Sequence, residues 1–295
     1  MKTLTYQFEL GDLTCSVIED ASRTFAIDAL LANVDHEQLV QVALDFELEL
    51  DKIPLDYKCL LVNVGDQYVL IDAGYGDRLD YAHGNLHQGL ASLGLTPASI
   101  DTIIITHADS DHIGGILDKE GQPAFPNARY FLLESAWEYW SSTQNRSELV
   151  TLYHWPQEMI DFVWETFSKI KPLTTLVESD AEFIPGFRLV SAVGHRYDHA
   201  VVKVSSSGKQ LLHVSDALIH PLFMAHRNWY STYDSDPEQA LMTKQELLDW
   251  CASEGAVMFG AHFPFPGIGY VQQRDEGWRW HPIKDPTRNP SRGIG

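Results

Sequence analysis

The sequence predicts an α/β protein built as a four-layer αββα sandwich, in which two β-sheets pack face to face between outer helices. Short apolar runs typical of strands occur in both halves of the chain, and helical segments flank them. No low-complexity linker divides the two halves. A chain of 295 residues, 44% of them hydrophobic, can bury a sizeable core. We therefore expect a single domain over residues 1–295.

The first half of the chain carries strand patterns interrupted by one ambiguous segment. Strands are predicted at Tyr6–Glu19 (a hairpin), Cys59–Asp72 (two strands joined by a Gly-Asp turn), Thr102–Thr106 and Arg129–Leu133. Residues 24–56 are harder to interpret and contain a helical pattern over Asp35–Leu44. We interpret this segment as an insertion that could serve as a lid or as a dimer arm.

The second half repeats the same mixture of elements. Strands are predicted at Phe187–Val193, Ala200–Val204, Leu211–Val214 and Ala256–Gly260. Helices are predicted at Ser135–Ser141, Gln157–Ile170 and Pro237–Ala252. Pro156 lies where the second of these helices begins, and proline is favoured in a first helical turn. Strands in both halves, with helices around them, predict two sheets rather than one.

One short loop concentrates side chains that bind metals. Within six residues the chain carries four such side chains, His107, Asp109, Asp111 and His112. The apolar run at 101–105 predicts a buried strand directly before them, and two glycines behind them indicate a tight turn into a helix. A loop at a strand end can direct all four side chains into one pocket. Imidazole and carboxylate without thiolate suit Zn, Fe or Mn rather than a cysteine-based structural zinc.

Three further candidate ligands lie at other strand ends. His195, Asp216 and His262 each follow an apolar run directly. Buried strands of α/β proteins open into ligand-binding crevices at such positions. Taken singly, each residue is also explained as a buried polar group held by hydrogen bonds.

Together these positions resemble the metallo-β-lactamase superfamily, over nearly the whole chain. The leading family motif His-x-His-x-Asp-His is similar to residues 107–112, and the later Gly-His, Ser-Asp and final His match residues 194–195, 215–216 and 262. Ile71-Asp72-Ala73-Gly74 resembles the Asp-Thr-Gly strand end of the family. Residues 216–221, 233–237 and 261–270 look most like the methyl parathion hydrolase and lactonase-type branch. The resemblance implies the four-layer metallo-β-lactamase sandwich.

The resemblance also implies a binuclear site for two divalent metal ions, with zinc as the expected metal. Carried over by position, the first metal would be bound by His107, Asp109 and His195, the second by Asp111, His112 and His262, and Asp216 would bridge both. In this scheme a hydroxide between the metals attacks the substrate. Asp111 and Asp216 are therefore the expected catalytic carboxylates, and Asp111 could also receive a proton for the leaving group.

Asp109 departs from the family pattern, which has histidine at this position. Three interpretations stay open: Asp109 binds metal with an altered metal preference, it leaves the first site weak or empty, or the centre is catalytically silent. A carboxylate at this position is similar to the flavo-diiron branch, so iron or manganese are alternatives to zinc. Replacing Asp109 with histidine is expected to preserve folding and to shift the metal preference toward zinc.

The resemblance implies a metal-dependent hydrolase of a small ester-like molecule: a lactone, a carboxylic ester or an organophosphate triester. Alternatives are an iron-dependent oxygenase of the same fold and a silent metal-binding relative. The residues expected to line the substrate pocket are Trp140, His220, Phe223 and Phe265. His199, four residues after His195, is expected to support a ligand rather than bind metal itself.

Charge and composition limit the partners. A formal net charge of −20 disfavours nucleic acid, because nucleic-acid binders need a basic face. We find neither a signal peptide nor an apolar run long enough to span a membrane, and three distant cysteines imply no disulfide framework. We expect a cytoplasmic protein with a small-molecule substrate and no membrane partner. A homodimer stays open.

Overall fold

Two mixed sheets form the centre of the molecule. The computed structural model describes residues 4–78, 83–142, 145, 149 and 155–283. The N-terminal sheet contains, in chain order, β1 (Thr5–Leu10), β2 (Leu13–Phe25), β3 (Ile53–Val64), β4 (Gln67–Ile71), β5 (Thr102–Ile104), β6 (Arg129–Leu133) and β7 (Thr174–Val177). The strands β1 to β4 pair antiparallel, and β4 to β7 pair parallel. Their order in the sheet follows their order in the chain.

The second sheet comes from the C-terminal half. It contains β8 (Glu182–Ile184), β9 (Phe187–Ser191), β10 (Ala200–Ser206), β11 (Lys209–His213), β12 (Val257–Phe259), β13 (Ile268–Gln273) and β14 (Trp278–Pro282). Neighbouring strands pair antiparallel except β11 and β12, which are parallel. A parallel pair needs a crossover connection, and a long helix between these two strands supplies it.

The helices flank the two sheets. They are α1 (His36–Asp45), α2 (Leu86–Ser92), α3 (Ser110–Ile113), α4 (Glu134–Ser141), α5 (Gln157–Ile170) and α6 (Pro237–Glu254). Single 3₁₀ turns occur at Ile27–Ala29, Pro97–Ser99, Lys171–Leu173, Ser215–Ala217 and Pro221–Met224. Among the described residues, none of the helices has the length and apolar character needed to cross a membrane.

The facing surfaces of the sheets share one apolar core. Leu60, Ile71 and Ile104 from the first sheet lie in the same buried cluster as Leu189 and Val202 from the second. Such side chains alternate along their strands and meet between the sheets, so the hydrophobic effect holds the two layers together. This arrangement confirms the predicted α/β sandwich.

Local chemistry explains where the predicted helices begin and end. The Asp35 side chain accepts a hydrogen bond from the Gln38 amide at 2.9 Å, which places the start of α1 one residue after the prediction. Asp236 caps α6 in the same way, and Gly255, with φ of +60°, ends it two residues later than expected. The predicted span of α5 is confirmed. Strand β5 is shorter than predicted and ends at Ile104.

The segment between β2 and β3 packs against the C-terminal half of this chain. Leu30 and Leu39 are buried in a cluster with Leu218 and Leu222. The backbone is also joined to the loop at 228–232, in part by bonds from the Ala32 amide to Tyr230 and from the Thr232 amide to Leu30. The insertion predicted at 24–56 is therefore held against the C-terminal half of the chain by apolar packing and backbone hydrogen bonds. Its role as a lid or dimer arm stays a prediction.

Candidate metal centre

Seven predicted ligands converge at one end of the two sheets. The loop after β5 and the short helix α3 carry four of them, and the ends of β9, β11 and β12 carry His195, Asp216 and His262. The strands point these loops at each other because strand ends of both layers meet at the same edge of the sandwich. The four histidines His107, His112, His195 and His262 are all buried.

One group of side chains, called the second site below, is compact. It consists of Asp111, His112, His262 and Asp216. The Nε2 atoms of His112 and His262 each lie 3.0 Å from Oδ1 of Asp216. The same two nitrogens lie 3.3 and 3.4 Å from Oδ2 of Asp111. Four donor atoms thus surround one point.

The remaining candidate ligands form a separate group, called the first site below, on the other carboxylate oxygen of Asp216. The Nε2 atoms of His107 and His195 lie 4.0 and 3.5 Å from Oδ2 of Asp216. They also lie 3.8 and 3.5 Å from Oδ2 of Asp109. Asp216 therefore turns one carboxylate oxygen toward each site, which is the arrangement of a bridging ligand.

The residues of both sites fit divalent metal ions. The Nε2 atoms of His107, His112 and His195 and Oδ1 of Asp216 are buried and have no hydrogen-bond partner. Leaving such atoms unpaired is costly, so a group of this kind calls for an explanation such as an ion. Tetrahedral ligands about 2.0–2.1 Å from zinc are roughly 3.4 Å from one another, close to the distances found here. Imidazole with carboxylate also suits iron and manganese.

Each metal-facing histidine is held by its other ring nitrogen. Nδ1 of His112 lies 2.7 Å from Oδ2 of Asp72, and Nδ1 of His195 lies 3.3 Å from Oδ1 of Asp234. His262 uses a backbone carbonyl and His107 the Thr106 hydroxyl, both at 3.1 Å. Partners of this kind fix the ring orientation and leave Nε2 to face the metal.

Asp72 joins the ends of two neighbouring strands of the N-terminal sheet. It lies at the strand end that resembles Asp-Thr-Gly and adopts a left-handed φ of +60°. Its carboxylate accepts bonds from the amide and the hydroxyl of Thr106, each at 2.9 Å. That hydroxyl also contacts Ser215, next to the bridging Asp216. The strand end resembling the family motif therefore supports the site rather than entering it.

His199 contacts the backbone of Asp216 and is not one of the clustered candidate ligands. Its Nδ1 lies 2.8 Å from the carbonyl oxygen of Ala192, and its Nε2 accepts the Asp216 amide at 3.1 Å. Burial, together with the nearby His107 and His195, holds the pKa of His199 well below its usual range. The neutral ring can therefore donate at Nδ1 and accept at Nε2. Although burial acts to raise it, His262 and His112 hold the pKa of Asp216 well below its usual range.

Arg196 is a site residue that the sequence analysis missed. Its Nε and Nη2 donate to Oδ1 and Oδ2 of Asp109 at 2.9 and 2.8 Å, in a two-pronged ion pair. Burial acts to raise the pKa of the Asp109 carboxyl, but Arg196 and His107 hold it well below its usual range. Asp109, the departure from the leading motif, and the charged residue directly after His195 are both visible in the sequence, but their contact depends on the fold.

A cavity of about 290 Å³ opens above the two sites. Its base includes Asp109, Asp111, His195, Asp216 and His262, and its walls include Arg23, Phe25, Leu55, Tyr57, Tyr75, Trp155, Met159, Ile219 and Tyr233. Apolar and aromatic walls around a few polar groups are typical of small-molecule sites.

The four residues predicted to line the substrate pocket lie outside these walls. Trp140 is buried and donates from Nε1 to Asp198 at 2.7 Å. Buried His220 accepts the Leu222 amide, and Phe223 packs in the apolar cluster behind the site. Phe265 packs edge-on against the ring of Tyr6. Trp140, His220 and Phe223 are thus buried away from the cavity, and Phe265 is half-buried against the core.

Comparisons with known proteins agree with this geometry. The family model of the metallo-β-lactamase superfamily matches residues 54–262. Two curated proteins, named probable metallo-hydrolases, of Mycobacterium bovis and Mycobacterium tuberculosis, are each 27% identical over 188 residues. That match covers 55% of this chain and 56% of each relative, so the chain spans about half the length of the curated relatives it matches.

Solved structures share the fold. AidC, a dizinc quorum-quenching lactonase in complex with a product, superposes with a TM-score of 0.87 at 24% identity, covering 96% of this chain and 99% of its own. AbOPH, a hydrolase of the β-lactamase superfamily, gives a TM-score of 0.86 at 22% identity and covers 97% and 99%. At such identities the likeness shows the fold alone.

Proposed function

The chain belongs to the metallo-β-lactamase superfamily, and on that premise we propose that it is a binuclear metal-dependent hydrolase of a small ester-like substrate. A lactone, a carboxylic ester or an organophosphate triester is the substrate class. The observation that carries the proposal is the pair of ligand clusters that share Asp216 at the base of a cavity. Lactonase and hydrolase names among the proteins of similar fold support the same class.

Two divalent ions, with zinc as the first choice, would be bound by the two sites. His107, His195 and Asp216, with Asp109 beside them, would hold one ion, and the second site would hold the other. Metal ions so bound lower the pKa of water toward neutrality and polarise a carbonyl or phosphoryl oxygen. Iron and manganese stay as alternatives because the first site includes a carboxylate where imidazole is usual.

The residues of the cavity would orient the substrate. Tyr57 lies beside His262, with ring centroids 4.7 Å apart, and beside Tyr75, at 4.8 Å. Burial raises the pKa of both tyrosine hydroxyls, so they stay protonated at neutral pH. Because Tyr75 donates a hydrogen bond to Tyr57, the Tyr57 hydroxyl would be the donor to a substrate oxygen. Asp111, a member of the second site that also lines the cavity, would take up a proton for the leaving oxygen.

The apolar wall favours a substrate with a hydrocarbon portion. Phe25, Leu55, Met159 and Ile219 face the cavity opposite the acidic base. An acyl chain or an aryl group would remove this surface from water, while the ester oxygens face the ligand clusters. We infer that the partner is such a small molecule rather than nucleic acid or a membrane, which agrees with the acidic composition.

An iron-dependent oxygenase is the second candidate, and Asp109 is the observation that favours it. Carboxylate oxygens suit iron better than a set of imidazoles alone does. Such an enzyme would contain iron as purified and would consume oxygen with a substrate. A silent relative would bind metal yet hydrolyse no member of a broad ester panel.

The test begins with elemental analysis of protein purified without added metal. Two equivalents of zinc or manganese per chain, followed by hydrolysis in a panel of lactones, carboxylic esters and phosphotriesters, is the expected result. Asp216→Ala is the matched inactive variant, because it removes the shared ligand. It should abolish hydrolysis and lower the metal content. Unchanged turnover in Asp216→Ala, or a loaded wild type that hydrolyses nothing, would rule the proposal out.

A further inference from the structure

The ion pair between Asp109 and Arg196 lies inside the metal centre rather than on the surface. The side chain of Asp109 is 13% exposed and that of Arg196 is 8% exposed. Two parallel N–H to O bonds join them at 2.9 and 2.8 Å. Arginine pairs of this two-pronged kind add geometric specificity as well as energy. The orientation of the Asp109 carboxylate is therefore fixed.

Arg196 is itself fixed by its surroundings. Its Nη1 donates to the carbonyl oxygens of His195 and Tyr233 and to the hydroxyl of Ser235. Its guanidinium also lies over the Trp155 ring, 5.5 Å from the centroid. All three guanidinium nitrogens thus have partners. The side chain is held beside His195, with Asp109 directly against it.

The geometry leaves one oxygen of Asp109 able to serve a metal as well. Oδ2 accepts from Arg196 and also lies 3.5 Å from Nε2 of His195 and 3.8 Å from Nε2 of His107. A carboxylate oxygen has two acceptor positions, so one can face the guanidinium while the other faces the ion. Binding through both oxygens would disturb the two-pronged pair.

The pair brings no net charge into the first site. The histidine usual at position 109 is a neutral ligand, whereas an aspartate there adds a negative charge to a buried site. The guanidinium is always protonated and cancels that charge. Asp109 and Arg196 together are therefore neutral, as one imidazole is. A buried carboxylate without this partner would carry a large desolvation cost.

We propose that Asp109 and Arg196 together act as one neutral ligand of the first site, in place of the usual histidine. Asp109 supplies the donor oxygen Oδ2, and Arg196 is a positioning residue that fixes and neutralises it. This inference rests on the proposed binuclear centre. It follows that the two residues must be exchanged together. Histidine at position 109 alone would put an imidazole and a metal dication against an unpaired guanidinium. With Arg196 in place, Asp109→His is therefore expected to weaken zinc binding at the first site, in contrast to the shift toward zinc expected from the sequence.

The experiment is a double-mutant cycle in zinc binding. Wild type, Asp109→His, Arg196→Gln and the double variant are stripped, reloaded with zinc and analysed for equivalents per chain. Competition with a chromophoric chelator gives the two dissociation constants. Each single variant should bind the first zinc about 10–100-fold more weakly, the range typical of lost support for a metal ligand. The double variant should recover to within a few-fold of wild type, and second-site affinity should change little throughout.

The ion pair between Arg78 and Glu165, with Nη2 and Oε2 2.9 Å apart, provides the matched control. Neither residue belongs to the two ligand clusters. Glu165→His and its combination with Arg78→Gln should leave both zinc constants unchanged. Thermal melts of all variants establish that they are folded. If Asp109→His does not fold, Arg196→Gln alone decides: a loss confined to the first site supports the proposal, and no loss overturns it.

Three results overturn the inference. They are a wild type that binds a single zinc, an Asp109→His variant that binds two as tightly as wild type, and a double variant no better than the weaker single one. None of these measurements uses hydrolysis. A wild type that binds two zinc ions and shows the coupling, yet cleaves no ester, would instead refute the proposed function and leave the composite ligand standing.

Discussion

The orientation of each histidine in the cluster depends on the hydrogen bond that its Nδ1 atom makes. His112, His195 and His262 each have one nitrogen fixed by an oxygen partner and the other turned toward the cluster. The partners come from three different parts of the chain, Asp72, Asp234 and the carbonyl of Asp56. Orientation is thus determined by tertiary contacts, which fix the ring tautomer before any metal arrives.

Tyr57 is the residue whose removal separates metal binding from catalysis. Tyr57→Phe keeps the ring against His262 and deletes only the hydroxyl, which is the donor to a substrate oxygen in the proposed function. We expect kcat to fall about 10- to 100-fold, because a donor to developing charge acts mainly in the transition state. The metal content should stay at the wild-type value. Tyr270→Phe, an exposed tyrosine, is the control. Equal kcat values for Tyr57→Phe and wild type would remove Tyr57 from the mechanism.

The ligand set could be predicted from the sequence because each ligand follows a buried strand directly. Strand ends made residues 107–112, His195, Asp216 and His262 candidates, and their assignment as ligands came from the resemblance to the family motifs in the same order. Arg196 and the cavity walls could not be predicted in this way. Arg196 matters through a contact with Asp109, far away in the sequence, and Leu55 faces the cavity because of the long pairing of β2 with β3. Neither contact leaves a local pattern.

At the scale of elements, strongly periodic segments were predicted well and several short, partly exposed strands were not. The helix α5 was predicted with its observed bounds, because apolar residues recur along it at helical spacing. The strands β7, β8, β13 and β14 were not predicted. They mix exposed with buried residues and polar with apolar ones, so their strand character comes from pairing with a neighbour rather than from composition.

The helix α6 holds the loop that follows the bridging ligand through one buried lysine. Lys244 donates from Nζ to the carbonyl oxygens of Phe223, His226 and Trp229. Lys244→Met removes this donor from all three carbonyls, and the His226 oxygen keeps only its long bond from the Trp229 amide. Each buried acceptor that loses its donor costs on the order of 1 kcal/mol or more. We expect the free energy of unfolding to fall by about 3 kcal/mol in urea titrations of the metal-loaded protein. The exposed Lys209→Met should change it by less than about 0.5 kcal/mol. Similar values for both variants would show that the loop does not depend on Lys244.

At the scale of the whole molecule, the ligand clusters join the two sheets. Residues 107–112 follow a strand of the N-terminal sheet, whereas His195, Asp216 and His262 follow strands of the C-terminal sheet. The layers already share an apolar core. Ions at both sites would add direct bonds between the halves, at an edge where buried polar atoms of His107, His112, His195 and Asp216 lack hydrogen-bond partners. Metal binding and folding are then linked, since the unfolded chain does not hold these ligands together.

Metal removal should therefore lower the melting temperature of the entire protein. An ion held at 1,000 times its dissociation constant stabilises the folded state by about 4 kcal/mol. For a chain of this size such a loss corresponds to a fall in Tm of roughly 7 °C for each emptied site. Scanning calorimetry of chelated and zinc-reloaded protein measures this shift, and Asp216→Ala, lacking the shared ligand, should respond far less to the chelator. Coincident melts of loaded and stripped wild type would mean that the two sheets are held together by their apolar core alone.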